Sequence, residues 1–203
     1  MSARDSILAR IRTVTAAIPA KVPLPDYDPA ITHCLPRLEG DDLTAVFARN
    51  LGNVNGRAMR SAAEVARFLS DGGYRHGYCD PALHAVIGPD LAAAGLTVET
   101  TYDRGRYDDY QFGITRASGA IAESGTIILD DNQTSSRLAA LSPWVHVAVL
   151  DAATIHRTIA DALAALGDSP NVIWATGPSK TADVEGILIE GVHGPGEQIA
   201  LIL

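Results

Sequence analysis

The sequence is poor in cysteine, which restricts the redox and metal chemistry open to the chain. Only two of its 203 residues are cysteines, Cys34 and Cys79. Two thiols cannot build a disulfide scaffold, and they are too few for the thiolate set that usually holds an iron–sulfur cluster. Neither shows the paired spacing of zinc sites. We therefore expect no metal and no cofactor in this chain, with Cys79 serving as a small apolar residue.

Long apolar runs and an excess of basic residues are also absent. Residues 1–10 are polar and charged, unlike a signal core, and no run approaches the length that spans a bilayer. The 16 basic and 24 acidic residues give a net charge of −8, which argues against a main role in binding nucleic acid. With 47% hydrophobic residues the chain is not disordered. We expect a cytoplasmic protein with no membrane span and no nucleic acid partner.

The N-terminal part predicts a helix followed by an extended arm. Apolar residues recur at spacings of three and four over residues 4–18, which is typical of an amphipathic helix. Residues 19–39 are then rich in proline, which regular helices and central strands exclude. We predict a helix and proline-rich arm over 1–39, acting as a tether or as a docking element for a partner subunit, and one domain over 40–203.

The remainder alternates between helical and strand patterns. Helices are predicted near residues 43–51, 61–69, 81–93, 134–141 and 155–166. Strands are predicted near residues 74–79, 96–101, 126–129, 145–150, 172–175, 187–189 and 199–203. Strands separated by helices predict a three-layer α/β sandwich with a mostly parallel sheet.

A glycine-rich segment at 113–126 contains one acid, Glu123, among apolar neighbours. A carboxylate in such a place is either paired or perturbed in its pKa, which is how general bases and carboxylate nucleophiles arise. The alternative is that Glu123 accepts hydrogen bonds from the backbone of a tight turn. The residues leave these two interpretations open.

A second segment, 176–183, follows a predicted strand directly. Gly177 provides a turn, and Ser179 and Thr181 are predicted helix caps that place an anion site at a helix N-terminus. Lys180 is one of only two lysines in the chain. The alternative is a salt-bridged cap, with Asp183 or Glu185 pairing with Lys180. The spaced glycines of a phosphate-binding loop are missing, as are the GxGxxG and GxSxG motifs of dinucleotide-binding proteins and serine hydrolases.

Two further positions are candidates for ligand binding. His193 stands in a glycine-rich turn, where it either titrates near neutral pH or only orders the turn. Arg137, beside Ser135 and Ser136, either binds a carboxylate or phosphate in bidentate fashion or is a solvated surface side chain. The predicted catalytic residue is Glu123, and the predicted ligand-binding residues are Thr126, Arg137, Gly177, Ser179, Lys180, Thr181, Asp183 and His193.

These motifs resemble the LUD domain of the lactate-utilisation protein C (YkgG-like) family. The resemblance rests on GIT at 113–115, AESGTIIL at 122–129, Arg137 with LSPWVHVAV at 141–149, GPSKTADVE at 177–185 and GVHGP at 191–195. It covers roughly residues 110–203, and the order of the blocks makes it specific. The family commonly has arginine where Lys180 stands here, which keeps the cation.

The resemblance implies a fold like that of the sugar-phosphate isomerase and CoA-transferase group. It also implies an accessory role in oxidising L-lactate to pyruvate, alongside partner subunits that carry the iron–sulfur clusters. A free-standing isomerase-like or CoA-transferase-like enzyme is the alternative, with Glu123 as base or nucleophile and Lys180 and Arg137 holding an anionic substrate. A third hypothesis is a module that binds a small carboxylate, phosphate or nucleotide without turnover.

Overall fold

The computed structural model describes residues 2–16, 18, 26, 35–169, 171–182 and 186–203, and the chain divides into two compact units, 1–32 and 33–203. The first unit contains α1 (Ala3–Ala16), which has no buried residue and confirms the helix predicted over 4–18. Most of the proline arm lies outside the described residues, so the boundary at residue 39 stays a prediction. Among the described residues, no helix has the length and apolar character needed to cross a membrane.

In its described part the second unit contains five α-helices and twelve strands. The helices are α2 (Leu43–Asn53), α3 (Ala62–Asp71), α4 (Pro81–Ala93), α5 (Arg137–Leu141) and α6 (Ile159–Ala165). The strands are β1 (Arg57–Met59), β2 (His76–Cys79), β3 (Thr97–Glu99), β4 (Phe112–Arg116), β5 (Gly119–Ile121), β6 (Thr126–Asp130), β7 (Val145–Leu150), β8 (Ile155–His156), β9 (Val172–Ala175), β10 (Lys180–Thr181), β11 (Ile189–Glu190) and β12 (Glu197–Ile202).

Six strands form a central sheet in the order β1-β12-β7-β4-β2-β3, and every neighbouring pair is parallel. β12 and β7 pair along their whole length, from Glu197 opposite Val145 to Ile202 opposite Leu150. Their side chains are nearly all buried, as strands covered on both faces require. The predicted α/β class with a mostly parallel sheet is confirmed.

The sheet is the middle of three layers. The odd-numbered apolar residues of β7 and β12 pack in one apolar cluster with α3 and α4, including Leu69 and Leu91. The even-numbered apolar residues of both strands lie in a second cluster with α2, including Phe47 and Leu51. This division follows from the two-residue period of a strand, which sends successive side chains to opposite faces.

Helix starts follow local signals in the sequence. Ser61 caps α3, where its Oγ accepts from the amide of Glu64 at 3.2 Å. Asp80 caps α4, its Oδ1 accepting from the amide of Ala82 at 2.8 Å, with Pro81 in the first turn. Both caps place a helix start directly at a chain reversal beside the central sheet.

A second, smaller sheet lies on the α2 side, in the order β8-β5-β6-β9. β6 is antiparallel to both β5 and β9, and β5 is parallel to β8. The apolar run at 126–129 is therefore a strand, as predicted, and it belongs to an antiparallel sheet. β10 and β11 form a separate antiparallel pair.

Two predicted helices are shorter than their apolar patterns suggest. Over 155–166, Ile155 and His156 form β8, and only Ile159–Ala165 is helical, because Thr158 and Asp161 form a capping box that fixes the start. Over 134–141, Ser136 caps the helix and restricts it to α5.

The strands β1, β4 and β5 are absent from the sequence-based prediction. β4 is central to the sheet, and Gly113 within it gives no strand signal.

Candidate functional site

Glu123 lies in the turn between β5 and β6, with 7% of its surface exposed. Its Oε1 accepts from the amide of Ile159 at 2.7 Å, the first residue of α6. A carboxylate there satisfies an amide that the helix itself leaves unbonded. The Oε2 atom is buried and has no hydrogen-bond partner among the described residues. Glu123 thus accepts a hydrogen bond from the backbone of a helix start and not from the tight turn that one interpretation named, and its role as a base stays a prediction.

The same turn is fixed against α2. Gly125 has a positive φ of 66°, and a Cβ there would collide with the backbone of Asn50 and Leu51. The Nδ2 of Asn50 donates to the carbonyl of Ala122 at 2.8 Å. These contacts explain why a residue without a side chain is needed at position 125.

Thr126 is buried at the start of β6 and takes part in a chain of hydroxyl groups. Its Oγ1 lies 2.7 Å from the Oγ of Ser124 and 2.7 Å from the Oγ1 of Thr176. This chain links the turn after β5 to the segment that follows β9. The hydroxyl predicted to bind a ligand is therefore already engaged within the fold.

The second motif forms a hairpin rather than a helix start. Gly177 has a φ of 73°, and a Cβ there would collide with the carbonyl oxygen of Val54. The chain bends there, and Lys180 and Thr181 then pair with β11. The prediction that Ser179 and Thr181 cap a helix is wrong. No helix occurs in the described residues 171–182, where Ser179 instead exchanges backbone hydrogen bonds with Pro195 and Gly191 at 2.9 Å each.

Lys180 is bound within the fold. Its Nζ donates to the carbonyl of Val54 at 2.9 Å and lies 3.5 Å from the Oε1 of Glu190. The predicted partners Asp183 and Glu185 lie outside the described residues, as does the predicted ligand-binding role of Asp183. The ammonium group therefore ties the hairpin to the end of α2, and its use for a substrate stays a prediction.

Glu123 and Lys180 thus belong to two turns that pack on the C-terminal half of α2. The first turn contacts it at Asn50 and Leu51, and the second contacts Val54. Neither side chain lines any of the clefts described next. The two charged motif residues that the sequence offers for catalysis or substrate binding, Glu123 and Lys180, therefore bond to the backbone and connect their turns to helices in the structure.

A cleft of about 650 Å³ lies at the carboxyl ends of β2 and β3, where parallel α/β sheets bind ligands. We call it the tyrosine–arginine cleft. Its charged lining residues are Arg104 and Arg137, and Pro81, Leu138 and Leu141 provide an apolar wall. The hydroxyl-bearing residues that line it are Tyr78, Thr100, Thr101, Tyr102, Ser135 and Ser136.

The tyrosines of this cleft are positioned by neighbouring hydroxyl groups. Tyr78 lies 2.7 Å from the Oγ of Ser135, and Tyr102 lies 2.7 Å from the Oγ of Ser142. The two rings meet edge to face, with centroids 5.6 Å apart. Burial raises the pKa of Tyr78, despite the opposing effect of the hydrogen bond from Ser135, so its hydroxyl keeps its proton.

Arg137 lies in this cleft together with Ser135 and Ser136, the three residues that the sequence groups. Its Nε is 2.9 Å from Asp131 Oδ1. Tyr78, Tyr102, Arg104 and the two threonines are missed by the sequence-based prediction. The one available signal is the position of Thr100 and Thr101 at the carboxyl end of the strand predicted over 96–101, where ligands bind in parallel α/β sheets.

His193 is placed elsewhere. It lines a second cleft, of about 610 Å³, with Tyr107, Tyr110 and Trp144. Trp144 directly precedes β7, so this cleft lies at the amino ends of the strands, and it shares Leu141 with the tyrosine–arginine cleft. His193 and Arg137 thus line two different clefts.

Metal ligands do not cluster in the part of the chain that the structure describes. No group of three or more His, Cys, Asp or Glu side chains there is arranged to hold an ion. Cys79 is fully buried at the end of β2, and burial raises the pKa of its thiol to about 12. Such a thiol stays protonated and is a poor nucleophile or ligand.

Comparison with known proteins places these elements in a family context. Residues 78–203 match the family model of the LUD domain. A protein named lactate utilization protein C from Deinococcus radiodurans is 29% identical over 175 residues, which cover 84% of this chain and 71% of that protein. Proteins of the same name from Bacillus licheniformis and Anoxybacillus flavithermus are 35% and 33% identical, and the chain spans 41% and 43% of their lengths.

A solved structure has the same fold. It is a crystal structure of a protein of the DUF162 family from Deinococcus radiodurans, and the two structures superpose with a TM-score of 0.56. The superposition covers 79% of this chain and 95% of that chain, at 21% sequence identity. At this identity the likeness supports the architecture alone.

Proposed function

Since the chain belongs to the LUD-domain family, we propose that it is an accessory component of a cytoplasmic system for L-lactate utilisation. Relatives aligned with up to 84% of the chain are named lactate utilization protein C. Oxidation of lactate to pyruvate releases two electrons and two protons, which require an acceptor. In this proposal, partner subunits with iron–sulfur clusters take the electrons, and this chain supports the assembly.

One observation carries the accessory role. Glu123 and Lys180, the motif residues best suited to chemistry, are hydrogen-bonded to backbone atoms of α6 and of the α2 end. A base or a substrate-binding cation in a working site usually faces a cleft. Side chains that tie turns to helices favour a scaffold whose surface serves other components.

The role is tested by deleting the gene and measuring growth on L-lactate, with growth on pyruvate as the control. We expect the deletion strain to lose growth on lactate but to keep growth on pyruvate. The wild-type gene on a plasmid should restore growth on lactate. We also expect iron–sulfur subunits to co-purify with the tagged protein. Undiminished lactate oxidation in the deletion strain would contradict the proposal.

The enzymatic alternative keeps one specific observation, the buried Oε2 of Glu123 without a described partner. Glu123→Gln preserves an oxygen that accepts from Ile159, and it removes the negative charge. In the accessory role the variant folds and restores growth on lactate. If Glu123 is a base or nucleophile, the folded variant instead fails to restore growth. Comparing thermal unfolding of the two purified proteins separates this outcome from misfolding.

A further inference from the structure

The tyrosine–arginine cleft is a locally positive site in an acidic protein. The chain has a net charge of −8, yet its cleft contains Arg104 and Arg137 and no carboxylate among the described lining residues. Asp131 pairs with Arg137, so the uncompensated positive charge of the cleft is that of Arg104, which attracts anions and repels cations. The charge distribution therefore selects the sign of a ligand.

The two arginines have donors to spare. Asp131 engages the Nε edge of Arg137, and within the described residues its terminal nitrogens make no further hydrogen bond. Arg104 is exposed and forms no ion pair in the part of the chain that the structure describes. A guanidinium group held along one edge by a carboxylate presents its remaining donors in a fixed plane, which suits carboxylate and phosphate oxygens.

The hydroxyl groups add neutral donors. Tyr78 and Ser135 have two hydroxyl protons between them, and only one is used in their mutual hydrogen bond. The Oγ of Ser136 accepts from the amide of Ala139 at 3.2 Å, which leaves its proton free to donate. These hydroxyl donors line the same cleft as the two guanidinium groups.

The remaining lining residues suit an organic body. Pro81, Leu138, Leu141 and the Tyr102 ring are apolar surfaces beside the polar groups. The volume of about 650 Å³ lies within the range of small-molecule sites and exceeds what a bare ion fills. The geometry points to a binding site for a small organic anion, whose carboxylate or phosphate group lies between Arg104 and Arg137.

Titration calorimetry on the purified full chain tests this site. The probes are L-lactate, pyruvate, AMP and inorganic phosphate, each raised to about 10 mM. We expect at least one organic probe to bind, and to bind more tightly than inorganic phosphate. Binding of a carboxylate alone identifies a carboxylic acid as the ligand, whereas binding of AMP alone identifies a phosphate ester.

Charge-matched variants then locate the binding. Arg104→Gln and Arg137→Gln should each weaken the organic probe at least 10-fold. Arg67→Gln, an equal charge change at an exposed position of α3, should leave its affinity unchanged. The Arg104→Gln variant is the decisive one, because Arg104 has no ion pair among the described residues and its loss should leave the fold intact. Arg137→Gln also removes the contact with Asp131. Tyr78→Phe, which removes only a hydroxyl, should have a smaller effect.

Two results would overturn this inference: failure of every organic probe to bind the wild-type chain, or wild-type affinity in Arg104→Gln. The inference does not depend on the proposed role in lactate utilisation. Binding is measured on the isolated protein, whereas that role is measured by growth. AMP binding together with normal growth of the deletion strain, for example, would support the site and reject the role.

Discussion

His146 lies at the centre of the parallel sheet and is almost completely buried. Its Nε2 is 2.9 Å from the Oγ1 of Thr115, and the side-chain amide of Gln198 lies within 3.1 Å of its Nδ1. Each ring nitrogen therefore has a polar partner suited to the neutral imidazole. Burial lowers the pKa of His146 to about 4, although the hydrogen bond to Gln198 acts in the opposite direction.

This depressed pKa makes stability depend on pH in a defined direction. The unfolded chain, with a histidine pKa near 6.5, binds the proton more tightly than the folded chain does. The contribution of His146 is fully present above about pH 6.5, falls as the pH drops towards 4, and then levels off. We expect a loss of about 2 kcal/mol between pH 7.5 and pH 5 in urea unfolding.

The matched variant is His146→Gln, which removes the titrating group and keeps a polar side chain. Its stability at neutral pH will differ from that of the wild type, but its loss between the two pH values should be smaller by about 2 kcal/mol. Equal pH dependence in the two proteins would show that His146 is not the group responsible.

At the level of elements, α2 is the support on which both motif turns rest. It precedes the matched residues 78–203, yet Gly125 and Gly177 approach its backbone too closely for any side chain. The need for glycine at these two motif positions is therefore explained by a helix outside the matched segment. Their role is to allow two turns to pack against the same helix end.

Substitution of Gly177 tests this packing. Gly177→Ala introduces a Cβ that collides with the Val54 carbonyl, at a φ of 73°. Gly95→Ala is the control, because Gly95 has a φ of 77° and nothing within 4 Å of the added atom. Both changes incur the left-handed backbone penalty of about 1–2 kcal/mol. Chemical denaturation should show a further loss only for Gly177→Ala, and equal losses would reject the packing explanation.

Elements with strong local signals are the ones that the sequence predicts. The β-branched run of β7 and the caps Ser61 and Asp80 act within a few residues, so their patterns are visible in the chain. The sequence does not predict β4, because Gly113 and Arg116 interrupt its apolar pattern. It becomes a strand only through its position between β2 and β7. Strand pairing is a long-range effect that local propensity does not contain.

The candidate site is divided in the same way. Arg137, Ser135 and Ser136 are neighbours in sequence and line one cleft in the structure, while the ligand-binding role of Arg137 stays a prediction. Tyr78 and Arg104 reach the cleft only because β2 and β3 are adjacent in the sheet, which periodicity does not predict. The sequence makes Glu123 a candidate base because its hydrogen-bond partner, the amide of Ile159, lies 36 positions away and is not visible in the local pattern.

On the scale of the whole molecule, the two apolar clusters share the strands β7 and β12. A strand that contributes alternate side chains to both faces cannot lose one cluster and keep its place in the other. We therefore expect the domain to unfold in a single cooperative transition. Leu51→Ala on one face and Leu69→Ala on the other should each cost about 2–5 kcal/mol.

Because these two leucines lie in different clusters, the losses should add within about 0.5 kcal/mol in the double variant. Far-ultraviolet and near-ultraviolet circular dichroism should give the same midpoint for each protein. Two separated transitions in either single variant would show that the faces unfold independently.

The position of β12 also has a consequence for biosynthesis. β12 is the last strand in chain order, and it lies between β7 and the first strand, β1, for which it is the only described neighbour in the sheet. While the ribosome is still translating the preceding residues, β1 and one edge of β7 have no strand to pair with. Until residues 197–202 emerge, a nascent chain therefore exposes two unpaired strand edges, which are the surfaces on which strands of other chains can pair and aggregate.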